Sequence, residues 1–172
     1  MDTIDIQYFD APCGRLVLGG YDGRLCLCGW TGDRHRERID GRVQRMLKAR
    51  FAVQPSEIVS RAMAELEGYF KGARTQFDIP LLMVGTEFQK RVWQCLGTIP
   101  YGTTLSYGAE AERMGKPSAV RAVANANGAN PIAVIVPCHR VIGSNGSLTG
   151  YGGGMDVKRF LLQLEQKCFH DK

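Results

Sequence analysis

Short stretches in which apolar and polar residues alternate fill the first thirty positions of the chain. Three of them are TIDIQYF, GRLVLGG and RLCLCGW, and this alternation is typical of strands with one buried face. Gly19-Gly20 and Asp22-Gly23 supply residues that favour turns between the strands. The pattern predicts a small antiparallel sheet near the N-terminus.

A charged segment and a helical pattern follow this sheet. We interpret residues 31–42, TGDRHRERIDGR, as a solvated connection because charges of both signs crowd it. Apolar residues then recur at helical spacing from Val59 to Phe70. Ser56 can cap the start of this helix and Gly72 its end, so the first half combines a sheet with one or more helices.

An extended segment separates the two halves of the chain. Residues 76–85, QFDIPLLMVG, contain Pro80 and are typical of a linker. We therefore place the domain boundary near Val84. This boundary gives a structural N-terminal domain over residues 1–84 and a C-terminal domain over residues 85–172.

Helical spacing resumes at the start of the second half. Thr86 and Gln89 have the spacing of a capping box, and Pro100 ends the helix that follows. Trp93 and Cys95 lie within this helix. We interpret both as packing residues rather than as chemical groups.

Two short helices are predicted next. The turn Gly115-Lys116-Pro117 separates a helix over about Ser106–Met114 from a second helix, in which Pro117 occupies the first turn and which runs to about Asn127. Two short helices joined by a tight turn with a glycine are typical of a helix-turn-helix. An ordinary helical hairpin has the same pattern, so DNA binding is one of two interpretations here.

The second helix of the pair carries few long side chains. It contains Ala119, Ala122, Ala124 and Ala126, and Arg121 is its one long cation. A helix that reads the major groove usually presents several polar side chains. A helix of small residues can instead approach the wall of the minor groove while an arginine enters the base stack. Alternatively, the alanines pack against a neighbouring helix and the arginine is a surface charge.

The apolar run Ile132–Val136 ends abruptly on Pro137-Cys138-His139-Arg140. The run predicts a buried strand or core segment, but the residues after it are not typical of a core. An ordinary thiol has a pKa of about 8.5, and a fall of about 1.5 units would make the thiolate the major form at pH 7. His139 is the candidate base, acting through a water, and Glu165 on the last helix is the candidate to orient it.

A glycine-rich stretch, IGSNGSLTGYGGG, occupies residues 142–154. It lacks the spacing and the lysine of a phosphate-binding loop. We interpret it as a flexible loop that brings backbone donors and Tyr151 to a pocket. A surface hairpin is the alternative.

Charge and composition narrow the classes of function. The 172 residues carry a net charge of +5; residues 85–172 have 10 Lys and Arg against 6 Asp and Glu, and residues 1–84 have 12 against 11. The excess of positive charge in the C-terminal half is compatible with a polyanionic partner but does not establish one. Because the chain has no apolar stretch of membrane-spanning length, no signal-like start and six scattered cysteines, we expect a cytoplasmic protein with free thiols.

The stretch from Ile99 to Gly154 resembles the O6-alkylguanine-DNA alkyltransferases, also called methylated-DNA–protein-cysteine methyltransferases. The similarity runs from about Thr86 to Lys167, and its most specific part is PCHRV after an Asn-Pro pair and an apolar run. The resemblance implies an α+β fold with a ribonuclease H-like N-terminal domain and a mostly helical C-terminal domain that contains the helix-turn-helix. It most resembles the free-standing bacterial form, without the additional N-terminal domain of the adaptive-response regulators.

The resemblance also implies a role for each candidate catalytic residue. Cys138 would accept the alkyl group, His139 would deprotonate it through a water, and Glu165 would orient His139. Tyr107 would press on the phosphate beside the target and donate a hydrogen bond to the flipped base.

Further residues would bind DNA or shape the pocket. Arg121 would replace the extruded base in the stack, and Ser118 and Ala119 would contact DNA at the start of the same helix. Asn130 would tie the turn between this helix and the active-site segment. The guanine pocket would be lined by Asn127, Tyr151 and the backbone of Val141 and Gly152, with Lys158 near its rim.

The implied reaction is a direct transfer, mainly of methyl, from O6-alkylguanine in double-stranded DNA to Cys138, with O4-alkylthymine as a second substrate. A thioether has no easy leaving path, and no residue pattern provides a water to remove it, so we expect one transfer per molecule. We expect no cofactor, a monomeric protein, DNA with alkylated bases as the partner, and no membrane association.

The sequence departs from its relatives at a few positions. Gly152 stands where some relatives carry serine, which leaves only a backbone donor there. Ala133 stands where some carry proline, which alters the pocket wall. Asp2, Tyr21 and Cys26 align with a structural zinc site of some relatives, and we expect no zinc here.

Two other functions fit parts of the pattern. A cysteine hydrolase also uses a thiol and an imidazole, but it leaves the helix pair unexplained. A non-enzymatic protein that binds alkylated DNA would lack the acceptor cysteine, whereas Cys138 is present.

Overall fold

A computed structural model of the protein describes residues 2–170. In chain order, its elements are β1 (Asp2–Ala11), β2 (Gly14–Tyr21), β3 (Arg24–Trp30), α1 (Arg36–Leu47), β4 (Ala49–Val53), α2 (Glu57–Phe70), α3 (Glu87–Leu96), β5 (Leu105–Ser106), α4 (Tyr107–Arg113), α5 (Val120–Gly128), a 3-10 turn (Cys138–Arg140), β6 (Val141–Ile142) and α6 (Met155–His170). The mixed α+β class expected from the sequence is confirmed.

The N-terminal sheet has four strands in the order β3-β2-β1-β4. β2 pairs with both β1 and β3 in antiparallel fashion, as predicted, whereas β4 pairs with β1 in parallel from Asp2 opposite Ala49. The sheet is therefore mixed rather than wholly antiparallel. A helical crossover makes this possible, because α1 carries the chain back so that β4 starts at the same end as β1.

The charged segment over residues 31–42 is not merely a solvated connection. Most of it belongs to α1, which buries Ile39 and Val43 against the sheet. These two residues are four positions apart and form a narrow apolar stripe. The many charges around that stripe obscured the helix in the sequence.

The predicted helix from Ser56 to Gly72 is confirmed as α2. The Ser56 hydroxyl accepts a hydrogen bond from the backbone N–H of Val59 at 3.3 Å. Gly72 follows the helix with a φ of +77°, a left-handed conformation that favours glycine.

The linker over residues 76–85 lies against the first sheet. Leu25 of β3 donates to the carbonyl of Pro80 at 2.9 Å and accepts from the N–H of Leu82 at 2.8 Å. The larger hydrophobic core lies beside this linker and contains Tyr69 of α2 together with Trp93 of α3. The two sides of the predicted domain boundary thus share a core.

Helix α3 starts with the predicted capping box. The Thr86 hydroxyl accepts from the N–H of Gln89 at 3.1 Å, and the Gln89 side chain accepts from the N–H of Thr86 at 2.9 Å. Trp93 is buried and donates from Nε1 to the Ala126 carbonyl at 2.9 Å. This bond attaches α3 to α5, in keeping with a packing role for Trp93.

The predicted pair of short helices is present as α4 and α5, which pack on each other. The Ser106 hydroxyl caps α4 by accepting from the N–H of Ala109 at 3.0 Å. Helix α5 begins at Val120, later than expected, because the chain after Gly115 first makes a turn in which Ala119 donates to the carbonyl of Lys116. Pro117 lies in that turn and not in the first turn of the helix.

The apolar run Ile132–Val136 is largely buried but is not a regular strand. Ile132 forms an isolated bridge with Cys28 of β3, and Val136 donates back to the Ile132 carbonyl at 3.0 Å. Val134 has a φ of +70°, which is costly for a β-branched residue. The chain turns sharply here and presents Cys138 beyond the turn.

Candidate active site

The Cys138 thiol is held by the turn that contains it and by Asn130. The Asn130 Nδ2 donates to the Val136 carbonyl at 2.9 Å and points to the Cys138 Sγ at 3.4 Å, while its Oδ1 accepts from the N–H of Ile132 at 2.9 Å. These bonds connect the end of α5 to the thiol, as the proposed tying role of Asn130 requires.

His139 follows the thiol and is fully buried. Its Nε2 lies 2.7 Å from the Glu165 Oε2 on α6. A carboxylate accepts hydrogen bonds, so Nε2 carries the proton of the neutral imidazole and Nδ1 carries the lone pair. Among the described residues, Nδ1 has no hydrogen-bond partner. It is therefore available to accept a proton.

Glu165 has two further partners that the sequence analysis did not assign. Arg140 donates to it from Nε at 2.7 Å and from Nη2 at 3.1 Å, and the Tyr69 hydroxyl donates at 2.6 Å. Arg140 also donates from Nη1 to the Ile99 carbonyl at 2.7 Å. Its place in the PCHR motif was the only sequence signal, whereas nothing in the sequence pointed to Tyr69.

These contacts set the charge state of the network. Burial alone would raise the pKa of Glu165, but His139 and Arg140 lower it well below its usual range. Burial lowers the pKa of His139 in spite of the opposing pull of Glu165. At neutral pH the site therefore contains a carboxylate and a neutral imidazole.

The thiol itself is protonated at rest. Burial raises the pKa of Cys138 to about 11, although the hydrogen bond from Asn130 and the charge of Lys158 act in the opposite direction. A lowered thiol pKa, which would store a thiolate, is thus not a property of this resting site. The proton has to leave during the reaction.

Cys138 lies at the wall of a cleft of about 710 Å³. Of the residues expected to shape the pocket, Asn127, Tyr151 and Gly152 line this cleft, as do Tyr107 and Ala133. The N-terminal half contributes Trp30 and Asp33 to it, which the sequence analysis did not predict.

Val141 and Lys158 lie behind the cleft rather than on its wall. Both are fully buried. The Lys158 ammonium donates to the carbonyls of Val141 and Thr149, each at 2.7 Å, and burial lowers its pKa to about 8. The expected position of Lys158 at the pocket rim is therefore wrong, because its stem fills the interior and its amine holds the glycine-rich loop.

The N-terminal half forms one wall of the cleft through contacts with the glycine-rich loop. The Trp30 Nε1 donates to the Tyr151 hydroxyl at 3.0 Å, and the N–H of Arg34 donates to the Gly152 carbonyl at 3.3 Å. A Cβ at position 152 would lie 2.6 Å from the Asp33 carboxylate. A side chain at position 152 would therefore require the Asp33 carboxylate to move.

Tyr107 and the second helix border the same cleft. The Tyr107 hydroxyl lies 3.4 Å from the carbonyls of Thr149 and Gly150. On α5, Ala126 is buried in the core while Arg121 and Ala122 are exposed. The packing interpretation therefore applies to Ala126, whereas Ala122 leaves a small exposed surface on another face of the helix. Ser118 is exposed and Ala119 half-buried at its start.

The positions aligned with a zinc site have other partners. The Tyr21 hydroxyl donates to Asp2 at 2.9 Å, and the Cys26 thiol points to the Gly19 carbonyl at 3.5 Å. Within residues 2–170, no group of three His, Cys, Asp or Glu side chains could hold a metal ion. No helix in the same range is long and apolar enough to cross a membrane.

Comparisons with known proteins agree with this geometry. Residues 87–167 match the family described as 6-O-methylguanine DNA methyltransferase, DNA binding domain. A methylated-DNA–protein-cysteine methyltransferase from Mycolicibacterium paratuberculosis is 46% identical over 164 residues, which cover 95% of this chain and 93% of the relative. One from Methanosarcina acetivorans is 45% identical over 93% of this chain and 97% of its own.

Solved structures show the same similarity. The crystal structure of Mycobacterium tuberculosis OGT in complex with DNA aligns with a TM-score of 0.82 at 43% identity and covers 95% of this chain and 94% of its own. The O6-methylguanine-DNA methyltransferase from the archaeon Pyrococcus kodakaraensis aligns with a TM-score of 0.67 at 26% identity, over 95% and 99% of the two chains.

Proposed function

Because this chain belongs to the methylated-DNA–protein-cysteine methyltransferases, which repair DNA by alkyl transfer, we propose that Cys138 is the alkyl acceptor. It takes the group, mainly methyl, from O6-alkylguanine in double-stranded DNA, with O4-alkylthymine as a second substrate. The proposal depends chiefly on one observation: the Cys138 thiol faces a cleft, and the next residue, His139, is a buried imidazole that the Glu165 carboxylate contacts at 2.7 Å.

In the proposed reaction, the Cys138 proton passes through a water to Nδ1 of His139. The imidazolium that forms is stabilised by Glu165 at 2.7 Å. The sulfur donates an electron pair to the alkyl carbon, and the bond from this carbon to the guanine oxygen breaks with its electrons. Tyr107 or a backbone N–H stabilises the charge on the leaving base.

The raised thiol pKa explains why a local base is needed. Releasing the proton to water at pH 7 from a thiol with a pKa of about 11 would cost on the order of 5 kcal/mol. His139 offers this proton an acceptor beside the thiol, and the carboxylate of Glu165 pairs with the imidazolium that forms. The ammonium of Lys158 also stabilises the developing thiolate.

Base flipping is proposed to bring the lesion to the thiol. Helix α5 presents Arg121 and Ala122 to solvent, and Ala122 and Asn125 border the cleft that contains Cys138. A small-residue surface beside a single arginine suits an approach to the minor groove, with Arg121 filling the gap in the base stack. Ser118 and Ala119 would contact the backbone nearby.

The product is a thioether, whose thiolate is a poor leaving group from carbon. We therefore propose one transfer per molecule. We also propose that the protein is a monomer and acts in the cytoplasm. The mass of the intact protein tests this after mixing with duplex that contains O6-methylguanine. The expected result is a gain of one methyl on the Cys138 peptide at a 1:1 ratio, and Cys138→Ala should bind the duplex without any gain. Many product molecules per polypeptide would overturn the proposal.

The role of Arg121 has a separate test. Arg121→Ala should slow transfer from duplex far more than transfer from the free O6-methylguanine base, because only the duplex requires an extruded nucleotide. Equal losses on both substrates would remove the base-replacement role and leave the acceptor assignment intact.

A further inference from the structure

A second buried carboxyl lies outside the thiol site, between the helix pair. Glu110 of α4 is fully buried, and one of its oxygens, Oε1, accepts a hydrogen bond from Nδ2 of Asn127 on α5 at 2.8 Å. The other two polar atoms of these side chains, Glu110 Oε2 and Asn127 Oδ1, are also buried. Neither has a hydrogen-bond partner among the described residues.

The two unpartnered atoms are complementary only if the carboxyl is protonated. As an ionised group, Glu110 would leave two acceptors buried in one place, and each unpaired buried acceptor is costly. A proton on Oε2 would make this atom a donor that Oδ1 of Asn127 can accept from. Such a bond would satisfy both atoms and complete a reciprocal acid–amide pair.

The surroundings of Glu110 favour the neutral form. Burial raises its pKa to about 7, against the bond from Asn127, which lowers it. The titratable groups that respond to its charge are Cys95 on α3, Tyr107 on α4 and Cys138 beyond α5, and none of them is a cation. Arg113 acts on Cys95, and Arg121 lies on the exposed face of α5.

We propose that Glu110 is a positioning residue for DNA binding: its protonated carboxyl donates to Asn127 and accepts from it, and the two bonds fix α4 against α5. The proposal rests on the proposed function, since it assumes that this helix pair meets DNA. Tyr107 lies one turn before Glu110 on α4, and Arg121 lies on the same helix as Asn127. The pair therefore sets the spacing of two side chains assigned to the DNA.

The protonation state is tested directly in the wild-type protein. The ¹³C chemical shift of the Glu110 side-chain carboxyl is followed by NMR from pH 5 to 9, with Glu110→Gln to assign the signal. The expected result is a neutral acid at pH 6 that ionises near pH 7. A carboxylate at pH 6 would overturn the proposal.

Folding provides a second readout that does not depend on DNA. The folded pKa of Glu110 is raised from 4.5 to about 7, so its contribution to stability is largest below pH 4.5 and is lost as the pH rises to 7. Over that window, the folding constant of the wild type should fall relative to that of Glu110→Gln, on the order of 100-fold. Parallel pH profiles would contradict a protonated pair.

Duplex affinity tests the positioning role. A glutamine side chain both donates and accepts at any pH, so the pH dependence of binding to unmodified duplex by Glu110→Gln serves as the reference. Between pH 6 and pH 8.5, wild type and the exposed control Glu112→Gln, which both keep Glu110, should each lose about threefold more affinity than this reference. Glu110→Ala should bind about tenfold more weakly than Glu110→Gln at both pH values, which corresponds to one hydrogen bond. Wild-type behaviour of Glu110→Ala would overturn the role, and if that variant does not fold, the comparison of wild type with Glu110→Gln decides.

These readouts separate the two proposals. Absence of duplex binding by every form, wild type included, would refute the proposed function and, with it, the positioning role. The NMR and folding measurements would still establish or refute the acid–amide pair itself.

Discussion

Two regions of the molecule each bury a glutamate on a helix, but they shift the pKa of its carboxyl in opposite directions. Around Glu165, an imidazole, a guanidinium and a phenol converge on one carboxylate, and its pKa falls. Around Glu110, one amide is the sole hydrogen-bond donor among the described side chains, and its pKa rises. Burial penalises the charge in both places, so the partners decide the state.

The difference also concerns what each carboxyl can do. An anionic Glu165 can stabilise positive charge on His139, as the proposed removal of the thiol proton requires. A neutral Glu110 can act as a donor, which a carboxylate cannot. In the two proposals, the Glu165 region therefore serves the chemistry and the Glu110 region serves the packing of the two helices.

Removing the cation from the Glu165 region should have the largest effect. Arg140→Met leaves the carboxylate without its bidentate partner, and breaking such a buried pair typically costs about 3–5 kcal/mol. Urea unfolding at pH 7 measures the loss. Arg159→Met is a matched control, because Arg159 forms an exposed pair with Asp156 that should contribute less than about 1 kcal/mol. Equal losses for the two variants would contradict the importance of the buried network.

Removing the charge of Glu165 should affect both rate and stability. Glu165→Gln no longer stabilises the imidazolium, so transfer in a single turnover should slow by about 10- to 100-fold. An unchanged rate would leave Glu165 with a structural role alone.

The stability that Glu165 contributes should depend on pH with the opposite sign to the stability that Glu110 contributes. The folded pKa of Glu165 is depressed from 4.5, so the stability it contributes is present above pH 4.5 and is lost as the pH falls below that value. The stability difference between wild type and Glu165→Gln should therefore shrink from pH 5 to pH 3 in urea unfolding. A difference that stays constant over this range would mean that the pKa of Glu165 is not depressed in the folded protein.

The smallest effect is expected from the phenol. Tyr69→Phe removes one hydrogen bond to a charged acceptor and should cost about 1–2 kcal/mol. The transfer rate should change little, because His139 and Arg140 still contact Glu165. A rate loss as large as that of Glu165→Gln would show that the phenol helps to orient the carboxylate for catalysis.

The sequence predicted those features that depend on contacts between residues close together in the chain. The caps at Ser56 and Thr86 are local hydrogen bonds, and both were found as expected. Helix α1 was missed because its buried stripe is narrow. The parallel pairing of β4 was missed because strand direction depends on a crossover rather than on periodicity.

The same distinction holds for the site. Cys138, His139 and Asn130 are close together in the chain, and the structure brings them together. Tyr69 is 96 residues from Glu165 and Trp30 is 121 residues from Tyr151, so those contacts arise only from tertiary packing. The burial of Glu110 could not be predicted, because a single charged residue in a short helix does not reveal which face of that helix is buried.

The protonated resting state of Cys138 has a consequence for the lifetime of the unused protein. Peroxides and free alkylating agents attack thiolates much faster than thiols. A sulfur with a pKa of about 11 is therefore a poor target for such reagents between encounters with DNA. Under the proposed single transfer per molecule, the protein would thus keep its acceptor unreacted until a lesion enters the cleft.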